Sequence, residues 1–163
     1  CKTYLEIGTF FGGSMITAMQ SKFPTVFVGI DPFDGYYSKP LDPKTKVAVT
    51  IETTQENIEN NNVHKHPFEL VKGKSNLPEI VKYIQDKYKV LDLLFIDGDH
   101  SEQCVITDFN NYSPLVSIGG ILIFDNYKDK NWKEVETGVS KLDLTNWNII
   151  GEYGCSLIIS RKV

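Results

Sequence analysis

Five short apolar runs, each followed by a helix-like segment, constrain this chain more than any other feature of its sequence. The runs are Thr3 to Ile7, Val26 to Ile30, Phe68 to Lys72, Leu91 to Ile96 and Ile121 to Phe124. They are rich in branched residues, the pattern of strands buried on both faces. Ser14 to Lys22, Lys44 to Asn60, Leu77 to Tyr88, Glu102 to Tyr112 and Trp132 to Leu142 read as helices. Within Leu77 to Tyr88, the residues Leu77, Ile80, Val81 and Ile84 recur at helical spacing, and Pro78 falls in the first turn, where proline is tolerated. The tail differs: Trp147 to Tyr153, then Gly154, then Ser156 to Arg161 reads as a hairpin. Repeated βα units predict an α/β fold with a doubly wound, mostly parallel sheet, helices on both faces and a C-terminal antiparallel hairpin.

A chain of 163 residues with 41% apolar and 23% charged residues is long enough for one sizeable core. The net charge of −4 argues against nucleic acid or an anionic membrane as the main partner. The longest apolar runs, Leu91 to Ile96 and Ile118 to Phe124, are too short to cross a bilayer. The chain opens without a Met and directly on a strand, so the expectation is one domain over residues 1–163 with a helical segment ahead of it. Cys1, Cys104 and Cys155 form no C-x-x-C pair. Cys104 and Cys155 are expected as small buried hydrophobes in a reducing compartment, the cytoplasm.

The first run ends in Leu5-Glu6-Ile7-Gly8-Thr9-Phe10-Phe11-Gly12-Gly13-Ser14. This is a strand, a tight turn and a helix start, the construction that holds nucleotide-like cofactors. It is not the dinucleotide fingerprint, because Phe10 occupies the second glycine position, where backbone must approach a pyrophosphate. Gly73-Lys74-Ser75 ends like a phosphate-binding loop, but Phe68 stands where that loop needs its first glycine. What remains is Glu6-x-Gly8-x-x-x-Gly12-x-Ser14 with Asp31 at the end of the second run. An acidic side chain there accepts both hydroxyls of a ribose. S-adenosylmethionine, a ribose without phosphates, fits this pattern.

Asp97 and Asp99 end the fourth run, and Asp125 and Asn126 end the fifth. Ligands of open α/β sheets sit beyond the carboxyl ends of the strands. Three carboxylates and an amide in one crevice suit a hard divalent cation, Mg²⁺, Mn²⁺ or Ca²⁺. The competing reading of these residues is as caps for the helices that follow, and of Ser75 as a cap before Leu77-Pro78. Histidine side chains titrate near neutrality, as a general base should, which makes His100 the candidate base. His64 and His66 flank Lys65 in a polar loop and are expected to face solvent.

Taken in order, Leu5 to Ser14, Gly29-Ile30-Asp31, Gly73-Lys74-Ser75-Asn76, Phe95-Ile96-Asp97-Gly98-Asp99-His100 and Ile123-Phe124-Asp125-Asn126-Tyr127 resemble the class I S-adenosylmethionine-dependent methyltransferases, which have a Rossmann-like fold. Among these the chain is most similar to the small cation-dependent O-methyltransferases of the catechol and caffeoyl-CoA type, and to bacterial sugar and macrolide O-methyltransferases with an Asp-Gly-Asp motif. The resemblance implies that Glu6 and Gly8 line the methionine end. Backbone through Gly12 and the Ser14 hydroxyl would meet its carboxylate, Asp31 the ribose, and Ser75 and Asn76 the adenine. It implies a cation on Asp97, Asp125 and Asn126, with Asp97 also counted among the cofactor-contacting and catalytic residues. His100 stands where the catechol-type enzymes carry a lysine base. The expected acceptor is the hydroxyl of a small molecule or sugar, with Tyr36, Tyr37, Tyr127 and Trp132 as an aromatic wall. Amino methyltransferases of bases carry a Pro-Pro-aromatic motif after the fourth strand, and this chain has none there. The alternatives are a metal-free methyltransferase of another acceptor, N-methylation included, and a catalytically inactive S-adenosylmethionine-binding domain. A homodimer is left open.

Overall fold

The computed structural model describes residues 2–22, 26–35 and 39–163. Its strands are β1 (Thr3–Ile7), β2 (Val26–Asp31), β3 (Phe68–Lys72), β4 (Leu91–Ile96), β5 (Val116–Phe124), β6 (Trp147–Tyr153) and β7 (Ser156–Arg161). The helices are α1 (Gly13–Met19), α2 (Ile51–Asn61), α3 (Pro78–Lys87), α4 (Glu102–Tyr112) and α5 (Lys133–Ser140). The sheet order is β3-β2-β1-β4-β5-β7-β6. The first five strands pair in parallel, and β7 joins β5 and β6 antiparallel. The chain winds outward from β1 to β3, then crosses back to β4 beside β1. That reversal opens a crevice at the carboxyl ends of β1 and β4, where ligands bind in such sheets.

Strict alternation along β1 divides its side chains between two cores. Leu5 and Ile7 join the larger one, with Leu94, Phe109, Tyr112, Leu122 and Phe124. Tyr4 joins a smaller one with Met15, Met19, Phe27 and Ile58, beneath α1 and α2. Glu6 shares the Tyr4 face and is carried into the protein with it, at 0% exposure. The edge strand β6 is mostly exposed.

Four expectations shift. The second helix begins at Ile51, not Lys44. Asp42 Oδ1 gathers the Lys44 and Thr45 amides into a turn, and Thr50 and Thr53 then form a reciprocal capping box that sets the helix start. The fifth strand begins at Val116, with a register shift against β4 near Leu91 and Leu93. Of the cysteines, Cys104 is half-buried and Cys155 is exposed between the hairpin strands. His64 is exposed as expected, but His66 is half-buried: its ring lies 5.4 Å from that of Phe27, and its Nε2 lies 2.9 Å from the Ser21 carbonyl oxygen. Among the described residues no helix is long and apolar enough to cross a membrane.

Candidate functional site

The glycine turn is held from three sides. Gly8 has φ 87°, and its N–H donates to the Ile30 carbonyl at 2.9 Å. A Cβ on Gly8 would lie 2.0 Å from the Asp97 carbonyl oxygen, so β1 and β4 approach each other here only because this residue has no side chain. Phe10 takes a left-handed φ of 50°, and its N–H donates to Asp31 Oδ2 at 2.9 Å. Asp31 Oδ1 accepts the Phe33 N–H at 2.7 Å. Each carboxylate oxygen has two acceptor positions. One amide apiece therefore leaves Asp31 the capacity to accept two ribose hydroxyls. Burial raises the Asp31 pKa, and the two amides pull it back.

The third side is α2, which the sequence reading missed. Thr54 Oγ1 donates to the Phe10 carbonyl, Asn57 Nδ2 donates to the Phe11 carbonyl at 2.7 Å, and Ile58 packs under Gly12. The targets are backbone carbonyls more than forty positions away, so no spacing in the sequence announces them.

Glu6 accepts a hydrogen bond from Ser14 Oγ at Oε1. Burial pushes its pKa up to about 8; the Ser14 bond opposes this and the Asp97 charge adds to it. The native state therefore holds a proton that the unfolded chain releases above the ordinary value of 4.5. Stability falls as pH rises from that value to about 8. Glu6→Gln keeps an acceptor for Ser14 and removes the titration. Urea unfolding at about pH 6 and pH 9 should show wild type losing roughly 1–4 kcal/mol more than the variant. Equal losses would mean that Glu6 does not carry this proton.

Beyond the strand ends lies a cavity of about 480 Å³. Of the residues singled out above, Gly8, Asp31, Ser75, Asn76, Asp97 and His100 line it together. Glu6, Gly12, Ser14, Asp125 and Asn126 are not among its lining residues. Phe10, Asp34, Lys74, Asp99 and Cys104 complete much of the wall. Four carboxylates thus face one lysine and one histidine, a lining that favours a cationic ligand over a phosphate.

His100 Nε2 lies 3.3 Å from Asp97 Oδ1, and the His100 ring lies 4.5 Å from that of Trp132. Burial raises the Asp97 pKa; His100 lowers it by its hydrogen bond, and the Asp125 charge raises it again. The Asp125 N–H donates to the Ile96 carbonyl at 3.0 Å, which brings the ends of β4 and β5 side by side. Asp125 Oδ1 accepts from Ser156 Oγ at 2.6 Å, a contact supplied by the hairpin. Asn126 and Lys128 both take left-handed backbone, at φ 54° and 59°. Among the described residues no three or more His, Cys, Asp or Glu side chains cluster as a metal site. Two carboxylates and an amide at neighbouring strand ends remain as the candidate oxygen donors.

Asp99 takes part in the start of α4, accepting the Ser101 N–H at 2.9 Å, and this bond lowers its pKa. Ser75 is not the cap of α3, whose N-cap position is Leu77. Its hydroxyl instead donates to Asp108 Oδ1 on α4 at 2.6 Å. Of the four aromatic residues expected at the crevice, Trp132 packs on His100 and Tyr127 lies beneath Lys128 Nζ, 5.2 Å from its ring. Tyr36 and Tyr37 lie outside the described residues.

The methyltransferase domain family matches residues 5–127. An uncharacterized protein of Acanthamoeba polyphaga mimivirus is 36% identical over 141 residues, which are 86% of this chain and 58% of that protein. The chain thus spans little more than half the length of this curated relative. The O-methyltransferase NovP superposes with a TM-score of 0.71 at 17% identity, covering 100% of this chain and 73% of NovP. MycE from the mycinamycin biosynthetic pathway, solved with Mg and SAH, superposes with a TM-score of 0.61 at 16% identity, covering 99% of this chain and 45% of MycE. At these identities the likeness to the solved structures is one of fold. The family match runs from within β1 to the loop after β5, all of the cavity wall included, and the chain belongs to the methyltransferase domain family.

Proposed function

We propose that this domain binds S-adenosylmethionine in the cavity and methylates a hydroxyl oxygen of a small molecule, assisted by a divalent cation. One observation carries the reading: the ribose acceptor Asp31 and the Asp97–His100 pair line the same cavity. Its acidic lining agrees with a ligand bearing a sulfonium and an ammonium and no phosphate. When bound, S-adenosylmethionine supplies an already activated methyl group, so the protein's share is geometry and proton transfer.

Asp31 would hold the ribose diol, with its own orientation set by the Phe10 and Phe33 amides. Asp97 accepting from His100 Nε2 selects the tautomer whose Nδ1 bears the lone pair. His100 would take the acceptor's hydroxyl proton, and Asp97 would stabilise the imidazolium that results. Trp132 fixes the ring plane from one side. Asp97, Asp125 and Asn126 would hold the cation, which lowers the pKa of a bound hydroxyl. Magnesium keeps several waters and needs only one or two carboxylates, which this donor set supplies. That MycE holds Mg and SAH on the same fold supports the reading.

Calorimetry with S-adenosylmethionine and Mg²⁺, separately and together, tests it. S-adenosylmethionine should bind wild type and Asp125→Ala alike, and Mg²⁺ at up to ~1 mM should bind wild type alone. Cofactor binding with no divalent ion bound at that level removes the cation from the mechanism. No cofactor binding at all removes the whole reading.

A further inference from the structure

Asp108 on α4 is 2% exposed and has no part in the reaction described above. It takes the hydrogen of Ser75 Oγ at 2.6 Å. One helical turn further, the buried Tyr112 donates its hydroxyl to the Ser75 carbonyl oxygen, also at 2.6 Å. A single helix therefore commits both the hydroxyl hydrogen and the carbonyl of Ser75 from behind, while Ser75 itself lines the cavity.

A serine hydroxyl has one hydrogen and two lone pairs. With the hydrogen spent on Asp108, Ser75 can offer only acceptor capacity to a ligand. The strand order places the reacting pair beside β1 and β4, the ribose acceptor on β2 and Ser75 after β3. Neighbouring strands lie about 4.8 Å apart. A base carried on a ribose at Asp31, with its reactive end toward His100, falls within reach of the β3 turn.

We infer that Asp108 is a positioning residue that makes Ser75 an acceptor-only hydroxyl, so that the cavity selects a 6-aminopurine nucleoside over a 6-oxopurine one. The inference rests on the cofactor reading above. The amino group of adenine donates to such a hydroxyl. A 6-oxo group sets oxygen against oxygen and leaves both without a partner. Burial raises the Asp108 pKa to about 7, opposed by the Ser75 bond and reinforced by the Asp99 charge. Cys104 and Tyr112 are the other titratable groups that feel its charge. Once ionised, Asp108 has no hydrogen to give, and Ser75 must be the donor. In Asp108→Asn an amide can donate to Ser75 and turn the hydroxyl hydrogen toward the cavity.

Calorimetry at about pH 8 with S-adenosylhomocysteine and its deaminated analogue S-inosylhomocysteine reads this directly. Wild type should prefer the amino compound by ~10- to 100-fold. Asp108→Asn and Ser75→Ala should each bring the ratio to within about threefold. Asp108→Ala, which removes the acceptor altogether, carries the same test where the asparagine variant does not fold. A merely structural Asp108 would weaken both compounds alike and leave the ratio standing. A wild-type ratio near one, or a ratio retained in the Asp108 variants, overturns the inference while the cofactor reading stands. Failure of wild type to bind S-adenosylhomocysteine overturns both.

Discussion

His100→Ala should lower kcat by ~10²–10⁴-fold and leave the affinity for S-adenosylhomocysteine nearly unchanged. The magnitude is that of a lost general base. The split follows from the site, where Asp31 on β2, the proposed ribose acceptor, is held by the Phe10 and Phe33 amides, while His100 pairs with Asp97 after β4. His100→Lys, which installs the base type of the catechol-like enzymes, is the informative rescue variant. Steady-state kinetics with calorimetry in parallel make the measurement. A variant that turns over normally would remove His100 from the mechanism and leave the cofactor site untouched.

Gly8→Ala should destabilise the fold by roughly 3–5 kcal/mol and abolish cofactor binding in what remains folded. Two effects add. The residue sits at φ 87°, where an L side chain is strained, and its Cβ would meet the Asp97 carbonyl oxygen at 2.0 Å. That contact is backbone on backbone, so no side chain can rotate away. The turn and the end of β4 must separate, which opens the cavity wall that Gly8 and Asp97 share. Gly13→Ala is the matched control: it opens α1, nothing lies within 4 Å of its Cβ position, and alanine favours helix. Urea unfolding of the pair should show a large loss for Gly8 and none for Gly13. A Gly8 variant within about 1 kcal/mol of wild type would mean that the two strand ends are not locked together there.

The division between what was readable in advance and what was not runs along the distance over which each interaction acts. β1, β3, β4 and the two hairpin strands fall where the apolar runs place them, because a buried strand is written in consecutive residues. Helix α4 matches its expected bounds, and α3 begins at Pro78. Helix α2 was overextended because Lys44 to Val49 is polar enough to continue a helix. The capping pair Thr50 and Thr53 and the turn around Asp42 decide otherwise. Ser75 looked equally like a helix cap or a cavity residue, and only its bond to Asp108, thirty-three positions away, separates the two.

By itself the sequence determined the class of fold, the glycine turn after β1 and the carboxylates at the strand ends. Each of these lies in a run of neighbouring residues whose chemistry is local. Tertiary structure alone decided which of them share a cavity. It drew Glu6 into the interior against Ser14 of α1, and it braced the glycine turn with Thr54 and Asn57. It also tied Asp125 to the hairpin through Ser156, and set Asp108 behind Ser75. The physical reason is that a hydrogen-bond partner is chosen by position in space, and strands that cross over in the order β3-β2-β1-β4-β5 make neighbours of residues that the chain keeps far apart.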